Sequence, residues 1–560
     1  MKRRLFFIIL FAIFGITSFG QYVTILGKQF KDENGNDFEP VVCNYNVDIV
    51  NIDTSDFLTT YISPNHSFGI YNTYECSGTE SCDDQLKNDF IQMLYMGFNT
   101  VRIMGINPFF ISEGYQIKDQ VGTICWECPE LGFYIFTNHH NLANCKNDKP
   151  FPLHEPFEND AVTLHLVELI NHLIQVASEV EWEGKKLKLI LITGGEWGGH
   201  SHDFPDVYSD YLYALSNTLP ILLSNSAKTT LMAYDLYNEP PSFWPVETIG
   251  HSKQDVCKKV KMWYDTIKEG DPYHLITLGA QGHHSILEYD HAVFSLDFYS
   301  PHLYPAAHHQ YEGPTYFESL MNSFYGKLYW VSNNCKMPWI IGETGFRAVE
   351  NSVFDTNYDG TLSDQYDFAD SATIRTWECG GSGFSWWFYQ DVCNDGYGIL
   401  KQNQVCTNWP CSTILKPVWE VFDDFTPPST GACSEPPYYY DPYYHEVYAP
   451  PDTNIVTGYV LDREDNPIKD AVIFAHTRLY NTQNPANPVI YDFHYTFTDD
   501  NGLFTVIPYD FDTRPPNYNT IEGLTISAAI CSRVREWCSV PWDGVDSGQT
   551  FKLDRFDLNS

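Results

Sequence analysis

Between residues 41 and 388 the chain alternates short β-branched runs with longer amphipathic stretches, and this alternation limits its fold more than any other feature. The runs lie at 41–44, 100–104, 187–193, 231–236, 275–278, 294–298, 339–342 and 383–388. Helix-like stretches separate most of them, for instance at 86–96, 161–180, 207–223 and 255–268. Parallel neighbours in a sheet need a long crossover, and a helix supplies it. Eight such units predict an α/β fold, a (β/α)8 TIM barrel, with its chemistry at the carboxyl ends of the strands. No fixed-period repeat accompanies the pattern.

From 426 to 454 the sequence turns rich in Pro, Tyr, Gly and Ser, including Pro436-Pro437-Tyr438-Tyr439-Tyr440 and Pro450-Pro451. Such a stretch neither fills a helix nor pairs within a sheet, so it reads as a linker. Beyond it, alternating runs at 456–461, 471–476, 495–498, 503–507 and 524–529, parted by Asp465-Asn466-Pro467 and Asp500-Asn501-Gly502, predict a C-terminal β-sandwich. The expected organisation is a barrel over 21–425, a linker over 426–454 and a sandwich over 455–560.

Met1-Lys2-Arg3-Arg4 precedes an apolar run at 5–16 and small residues Ser18 and Gly20. That order describes a secretory signal over 1–20, too short to span a bilayer comfortably. The expectation is an exported protein, periplasmic, cell-surface associated or secreted, with no membrane span. Fifteen cysteines in an exported chain favour disulfides. Several sit close in sequence, among them Cys76 and Cys82, Cys125, Cys128 and Cys145, Cys393, Cys406 and Cys411, and Cys531 and Cys538. An odd count leaves at least one unpaired, and spacing alone fixes no connectivity. Cys125-Trp126-Glu127-Cys128 has a zinc-knuckle spacing, but a single such pair in an oxidising compartment fits a loop disulfide better. A net charge of -39 repels nucleic acid and anionic membranes, which leaves neutral partners. An aromatic content of 16% suits stacking on sugar rings as well as an ordinary core.

Two strand ends carry the chemistry. The fourth run continues into Asn238-Glu239-Pro240, where the proline disfavours α geometry at Glu239 and holds its carboxylate at the barrel mouth. The seventh runs through Trp339 to Gly342-Glu343-Thr344 and delivers a second carboxylate to the same face. Two carboxylates facing each other across a barrel are the apparatus for cleaving a glycosidic bond: one protonates the leaving oxygen and the other attacks the anomeric carbon.

Over about residues 22–425 the chain resembles glycoside hydrolase family 5 and its wider barrel clan of retaining β-glycanases, the cellulases and β-mannanases. The motifs that carry the resemblance occur in order. Gly97-Phe98-Asn99-Thr100-Val101-Arg102 is similar to the family's second strand, whose arginine steadies the nucleophile. Asn238-Glu239-Pro240 resembles the acid/base motif, the resemblance implying that Asn238 contacts the sugar 2-hydroxyl. Ser300-Pro301-His302-Leu303-Tyr304 resembles the sixth-strand His-x-Tyr, whose tyrosine hydrogen-bonds the nucleophile. Gly342-Glu343 resembles the nucleophile itself, and Gly383-Phe384-Ser385-Trp386-Trp387 the eighth strand, with Trp387 as the floor under the reactive sugar. Gly458-Tyr459-Val460-Leu461-Asp462 and Thr498-Asp499-Asp500-Asn501-Gly502 in the last hundred residues resemble the carboxypeptidase regulatory-like, or transthyretin-like, module. That resemblance implies a spacer or accessory role.

One loop departs from the pattern. Glu196-Trp197-Gly198-Gly199-His200 follows the third strand where many cellulases have Asp-x-His, and it is nearer to the Gly- and Trp-containing loop of mannanases. Trp197 and Glu196 are therefore candidate subsite residues, and the subfamily stays open. The long connection over 105–155 is expected to wall one side of the cleft.

Asp355, Asn357 and Asp359, followed by Gly360, match the first half of an EF-hand-type calcium loop. Position twelve is Tyr366 instead of Glu, with Asp364 and Asp367 as substitutes, so a structural calcium site and a plain acidic turn are both open.

The reading is a monomeric retaining glycoside hydrolase on a β-linked polysaccharide or oligosaccharide of β-mannan or β-glucan type. Glu343 is the nucleophile, Glu239 the acid/base, and Arg102 and Tyr304 keep Glu343 ionised. It requires no cofactor. The alternatives are an exo-acting glycosidase or transglycosylase on short oligosaccharides, and a non-catalytic carbohydrate-binding barrel.

Overall fold

In the computed structural model the described residues are 22–51, 60–64, 79–106, 126–128, 133–135, 160–194, 208–239, 253–280, 296–305, 315–335, 337–348, 360–391, 396–401, 414–428, 431, 433–434, 456–469, 471–481, 490–506, 518–529, 536–539 and 549–552. The fold is α/β, built on a curled parallel sheet. Its strands are β1 (Val41–Asn51), β2 (Thr100–Met104), β3 (Lys188–Ile192), β4 (Leu231–Asn238), β5 (Leu275–Ala280), β6 (Ser300–Pro301) and β7 (Phe384–Trp386). Their order is β6-β5-β4-β3-β2-β1-β7, all parallel, with Thr60–Pro64 added antiparallel to the far end of β1. Among the described residues six long helices accompany them: α1 (Thr79–Tyr95), α2 (Asp160–Ser178), α3 (Tyr208–Leu222), α4 (Lys253–Gly270), α5 (Thr315–Asn334) and α6 (Leu362–Glu378).

The segment around Glu343 forms no continuous strand. It makes parallel bridges on both sides instead, Tyr299 to Trp339 and His302 to Glu343 on one, Thr344 to Trp386 on the other. Backbone bonds follow the same path, from Leu303 N–H to the Glu343 carbonyl and from Thr344 N–H to the Ser385 carbonyl.

The predicted sixth strand is displaced. Residues 297–298 bend, the bridge to Trp339 begins at Tyr299, and 294–295 lie outside the described residues. At the bend the Asp297 N–H donates to the Ile276 carbonyl at 2.9 Å, and its carboxylate accepts the Ile276 amide at 2.8 Å in place of a ladder carbonyl.

Apolar alternation gives the sheet two faces. The outer face packs against the helices through Tyr45, Val101, Leu189, Tyr234 and Leu278, meeting Leu86 and Phe90 of α1, Leu173 of α2 and Trp263 of α4. The inner face begins with Val42, Ile190, Met232, Leu275, Phe298 and Ile340, covered by Val23 and by Phe30 of the N-terminal hairpin strand Gln29–Lys31. At the other end, past the carboxyl ends of β2 and β3, lies a second apolar layer of Met104, Ile192, Trp387 and Phe388. Between the two layers the interior is polar.

Helix α6 starts with a capping box in which Asp364 accepts the Thr361 N–H at 2.7 Å, and the Thr361 hydroxyl accepts the Asp364 N–H. This engages Asp364 in ending the loop that it was a candidate to complete as a calcium ligand. Asp355, Asn357 and Asp359 lie outside the described residues, as does the 1–20 segment. Among the described residues no helix is long and apolar enough to cross a membrane.

Cys379, at the end of α6, is bonded to Cys433, 54 residues away, and Arg375 donates to the Ser434 carbonyl at 2.6 Å. The chain tied to α6 thus runs to Ser434, into the stretch that composition assigns to the linker. Cys82 is also disulfide-bonded, while Cys43 is free and Cys335 is buried with its Sγ donating to the Met337 carbonyl. The Cys125 zinc-or-disulfide question lies outside the described residues. Closing a loop of this length restrains the unfolded chain by roughly 4 kcal/mol. Cys433→Ser should therefore lower the melting temperature by several degrees while leaving activity at 25 °C unchanged; an unmoved melting curve would show that the bridge does not constrain unfolding.

The C-terminal strands form a three-stranded sheet (Leu503–Val506, Val456–Leu461, Gln549–Lys552) and a four-stranded sheet (Ile490–Phe497, Val472–Asn481, Tyr518–Ala529, Glu536–Ser539). Val456, Val460, Phe504 and Phe551 from the first share one core with Ile473, Ile526 and Ala528 from the second.

Candidate active site

The polar interior is organised on Arg102, which is fully buried on β2. Its Nε donates to Asp235 Oδ2 at 2.8 Å, and Nη2 lies 2.7 Å from the same oxygen. Nη1 donates to Asn44 Oδ1 at 3.0 Å and to Glu343 Oε1, and Nη2 donates to Asn238 Oδ1 at 2.9 Å. The guanidinium therefore ties together side chains from β1, β2, β4 and the Glu343 segment. Its fork of donors suits several planar acceptors at once.

Asp235 and Asn238 are three residues apart, and in a regular strand they would face opposite ways. The β4–β5 register shifts between them. Leu236 and Tyr237 accordingly both turn to the outer core, and both polar residues turn inward onto Arg102. Glu239 follows with φ +48°, a left-handed conformation for a non-glycine residue. This is neither right-handed α nor the extended geometry that a following proline favours, and it costs about 1–3 kcal/mol.

Glu343 Oε2 accepts the Tyr304 hydroxyl at 3.1 Å. His302 stands between the two acids, its Nδ1 at 2.9 Å from Glu239 Oε1 and 3.4 Å from Glu343 Oε2. Donor atoms of Glu239, His302 and Glu343 all lie within 4.8 Å of one another. Three such donors could in principle face a cation, but the Arg102 guanidinium already holds Glu343 and repels one. The set suits proton transfer better than metal binding.

The environments of the acids differ. About a fifth of the Glu239 side chain is open to solvent, yet burial pushes its pKa up to about 7, against the pull of Arg102. Burial also lifts Glu343 above its ordinary value, with His302 and the directly bound guanidinium acting in the other direction. Desolvation outweighs the charge, so the ionising effect expected of Arg102 is opposed by the depth of the site. Burial brings His302 down to about 4, which leaves it neutral near pH 7. The Tyr304 phenol is raised by burial and by Glu343, so it is a donor.

Trp386 and Trp387 face opposite ways. Trp386 packs against Phe368 and Phe422 and donates to the Tyr397 carbonyl, while Trp387 joins the apolar layer at the mouth, against which Tyr304 and Tyr397 pack. Arg102, Asn238, Glu239, His302, Tyr304, Glu343 and Trp387 therefore sit at one end of the sheet. Glu196 and Trp197 lie outside the described residues.

Asn44, Asp235 and Gly279 were not foreseen. An acid inside the apolar β4 run was the one signal for Asp235. Gly279 has a spatial role, because a Cβ there would lie 2.7 Å from both Arg102 Nη2 and His302 Nε2. Gly279→Ala should destabilise the protein by about 1–3 kcal/mol and lower activity by displacing Arg102. Thermal melts and steady-state rates check this; a wild-type melt and rate would show that the cluster accommodates a methyl group.

No protein-family model matches the chain, and no curated protein does. Among solved structures it is similar to the exo-β-1,4-mannosidase Op5Man5 from Opitutaceae bacterium strain TAV5, with 16% identity and TM-score 0.42 over 71% of this chain and 61% of that one. It is also similar to the endo-1,4-β-mannanase from Rhizomucor miehei, with 14% identity and TM-score 0.41 over 72% of this chain and 99% of that one. A β-glucuronidase from Ruminococcus gnavus gives 12% identity and TM-score 0.41 over 72% and 51%. The chain thus spans less than two thirds of the first of these enzymes and nearly all of the second.

Proposed function

We propose that the chain is a retaining glycoside hydrolase acting on β-linked polysaccharide or oligosaccharide of mannan or glucan type. The observation that carries this reading is the unequal pair of acids. Glu343 is held by Arg102 and Tyr304, and Glu239, with a pKa of about 7, shares a hydrogen bond with neutral His302. The guanidinium touches Glu343 and not Glu239, so the first negative charge of the pair resides on Glu343.

In this reading Glu343 attacks the anomeric carbon while the glycosidic C–O bond breaks and Glu239 gives its proton to the leaving oxygen. Glu239, now ionised, takes a proton from water as that water attacks the same carbon and releases Glu343. Oxygens within 4.8 Å favour direct attack over an inverting arrangement, whose carboxyl groups stand roughly 6.5–9.5 Å apart to admit a water. Asn238 Nδ2 is buried and has no partner among the described residues, which suits it to a sugar hydroxyl. Trp387, buried in the apolar layer at the mouth, would form the floor beneath a bound sugar.

The same reading takes the curled sheet, with the bridged Glu343 segment as a strand, as a (β/α)8 barrel, and the two C-terminal sheets as a transthyretin-like sandwich. A loop calcium at 355–359 belongs to the proposal as a structural ion only.

Because Glu239 must be protonated for the first step and Glu343 ionised, kcat/KM should be bell-shaped in pH. The basic limb is expected near 7, and the acid limb above the ordinary carboxylate range. Incubation with β-mannans, β-glucans and xylans, with product sizing and NMR of the newly formed anomer, tests the whole. Retained configuration supports the reading, and monosaccharide as sole product selects the exo-acting form. An inverted product, or no product from any substrate, overturns it.

A further inference from the structure

We infer that Asp235 is a positioning residue whose negative charge, set against Arg102, keeps the proton on Glu239 and fixes the pH at which the site works. The inference rests on the two-carboxylate reading and extends it to a residue that touches neither acid.

Asp235 is fully buried. Its Oδ2 takes both Nε and Nη2 of Arg102, and its Oδ1 accepts the Gly279 amide at 2.9 Å. Both oxygens are thus committed; Asp235 faces inward by regular alternation with Ala233, and the β4 register shift that follows it brings Asn238 to the same guanidinium. The absence of a side chain at Gly279 leaves the space in which Asp235, Arg102 and His302 meet.

The charges in the pocket explain why an acid belongs there. Around the two candidate acids stand Arg102 from β2, Asp235 from β4, His302 and Tyr304 from the segment continuing β6, and Asn44 from β1. His302 and Tyr304 are neutral near pH 7, so among the described residues the fixed charges are one guanidinium and one carboxylate. With Asp235 in place these cancel, and Glu343 can ionise while Glu239 keeps its proton. Once Glu343 is esterified in the glycosyl-enzyme, Arg102 and Asp235 still cancel, and Glu239 can cycle between acid and base. Without the Asp235 charge the guanidinium faces both acids unopposed. A nearby positive charge in a buried site favours every carboxylate form, so both acids would release protons at lower pH.

Asp235→Asn keeps the shape and removes the charge. On a β-1,4-linked manno- or gluco-oligosaccharide, whose leaving oxygen needs the Glu239 proton, the bell should move to lower pH on both limbs, by about one unit. Rate at pH 7 should fall roughly fivefold from the displaced basic limb alone. Asp235→Glu, which keeps the charge, should leave both limbs in place even if the maximum drops. The double variant Arg102→Met/Asp235→Asn removes both charges and should return the basic limb, set by Glu239, to its wild-type position, while the acid limb rises because Glu343 loses its guanidinium donor; it also serves if the single variant does not fold, since a neutral pair replaces a lone buried cation. Lowered maxima with unmoved limbs in Asp235→Asn, or a basic limb still displaced to lower pH in the double variant, would overturn the inference and leave Asp235 a purely structural partner of Arg102. A wild-type enzyme without a bell would instead remove the two-carboxylate reading and this inference with it.

Discussion

Glu343→Ala should lose on the order of 10^4-fold or more in kcat on every substrate that the wild-type enzyme cleaves, because no other group among the described residues of the pocket is placed to form the covalent intermediate. The loss should be partly recoverable. Azide fits the space that the carboxylate vacates, lies beside the Arg102 guanidinium, and attacks the face that Glu343 would have attacked. The product would be a glycosyl azide of inverted configuration. Its detection by NMR assigns Glu343 as the nucleophile, whereas a retained azide, or full activity in the variant, removes it from that role. Folding should survive, since Tyr304 and Arg102 lose one acceptor each while Arg102 keeps Asp235, Asn44 and Asn238.

The sequence made the strand ends legible because a strand's apolar run stops where its polar residues begin, and at Asn238-Glu239 and Gly342-Glu343 that stop coincides with the mouth of the sheet. Trp386 and Trp387 were equally readable, since adjacent strand residues face opposite ways. Asp235 was not. Strand periodicity places it opposite Asn238, and only the register shift in β4 brings both onto Arg102. The displaced sixth strand has a similar cause, as Asp297 satisfies the Ile276 amide with a side chain where periodicity counts on a carbonyl. The Cys379–Cys433 bridge joins residues 54 apart, and neither composition nor local spacing points to it. In each case the missing information is a contact distant in sequence or a local break in backbone period. The left-handed Glu239 is another such break, located at the residue proposed to move the proton.

Glu239→Ala should behave unlike Glu343→Ala, and the difference depends on the leaving group. A poor leaving group, such as a sugar hydroxyl in an oligosaccharide, needs the proton that Glu239 carries at neutral pH, so hydrolysis should fall roughly 10^2–10^4-fold. An aryl glycoside with a dinitrophenolate leaving group needs none, and formation of the glycosyl-enzyme should proceed at near the wild-type rate. Turnover would then stall, because no base remains to activate water for the second step, and a burst of phenolate followed by a slow phase should appear. Added azide needs no base and should relieve the stall, here giving a glycosyl azide of retained configuration. The basic limb near pH 7 should vanish from the first step, since the group whose burial raises its pKa to about 7 is gone. If the variant instead loses aryl and oligosaccharide substrates equally and keeps the basic limb, the proton comes from another group. His302, within hydrogen-bonding distance of Glu239 Oε1, would be the next residue to replace.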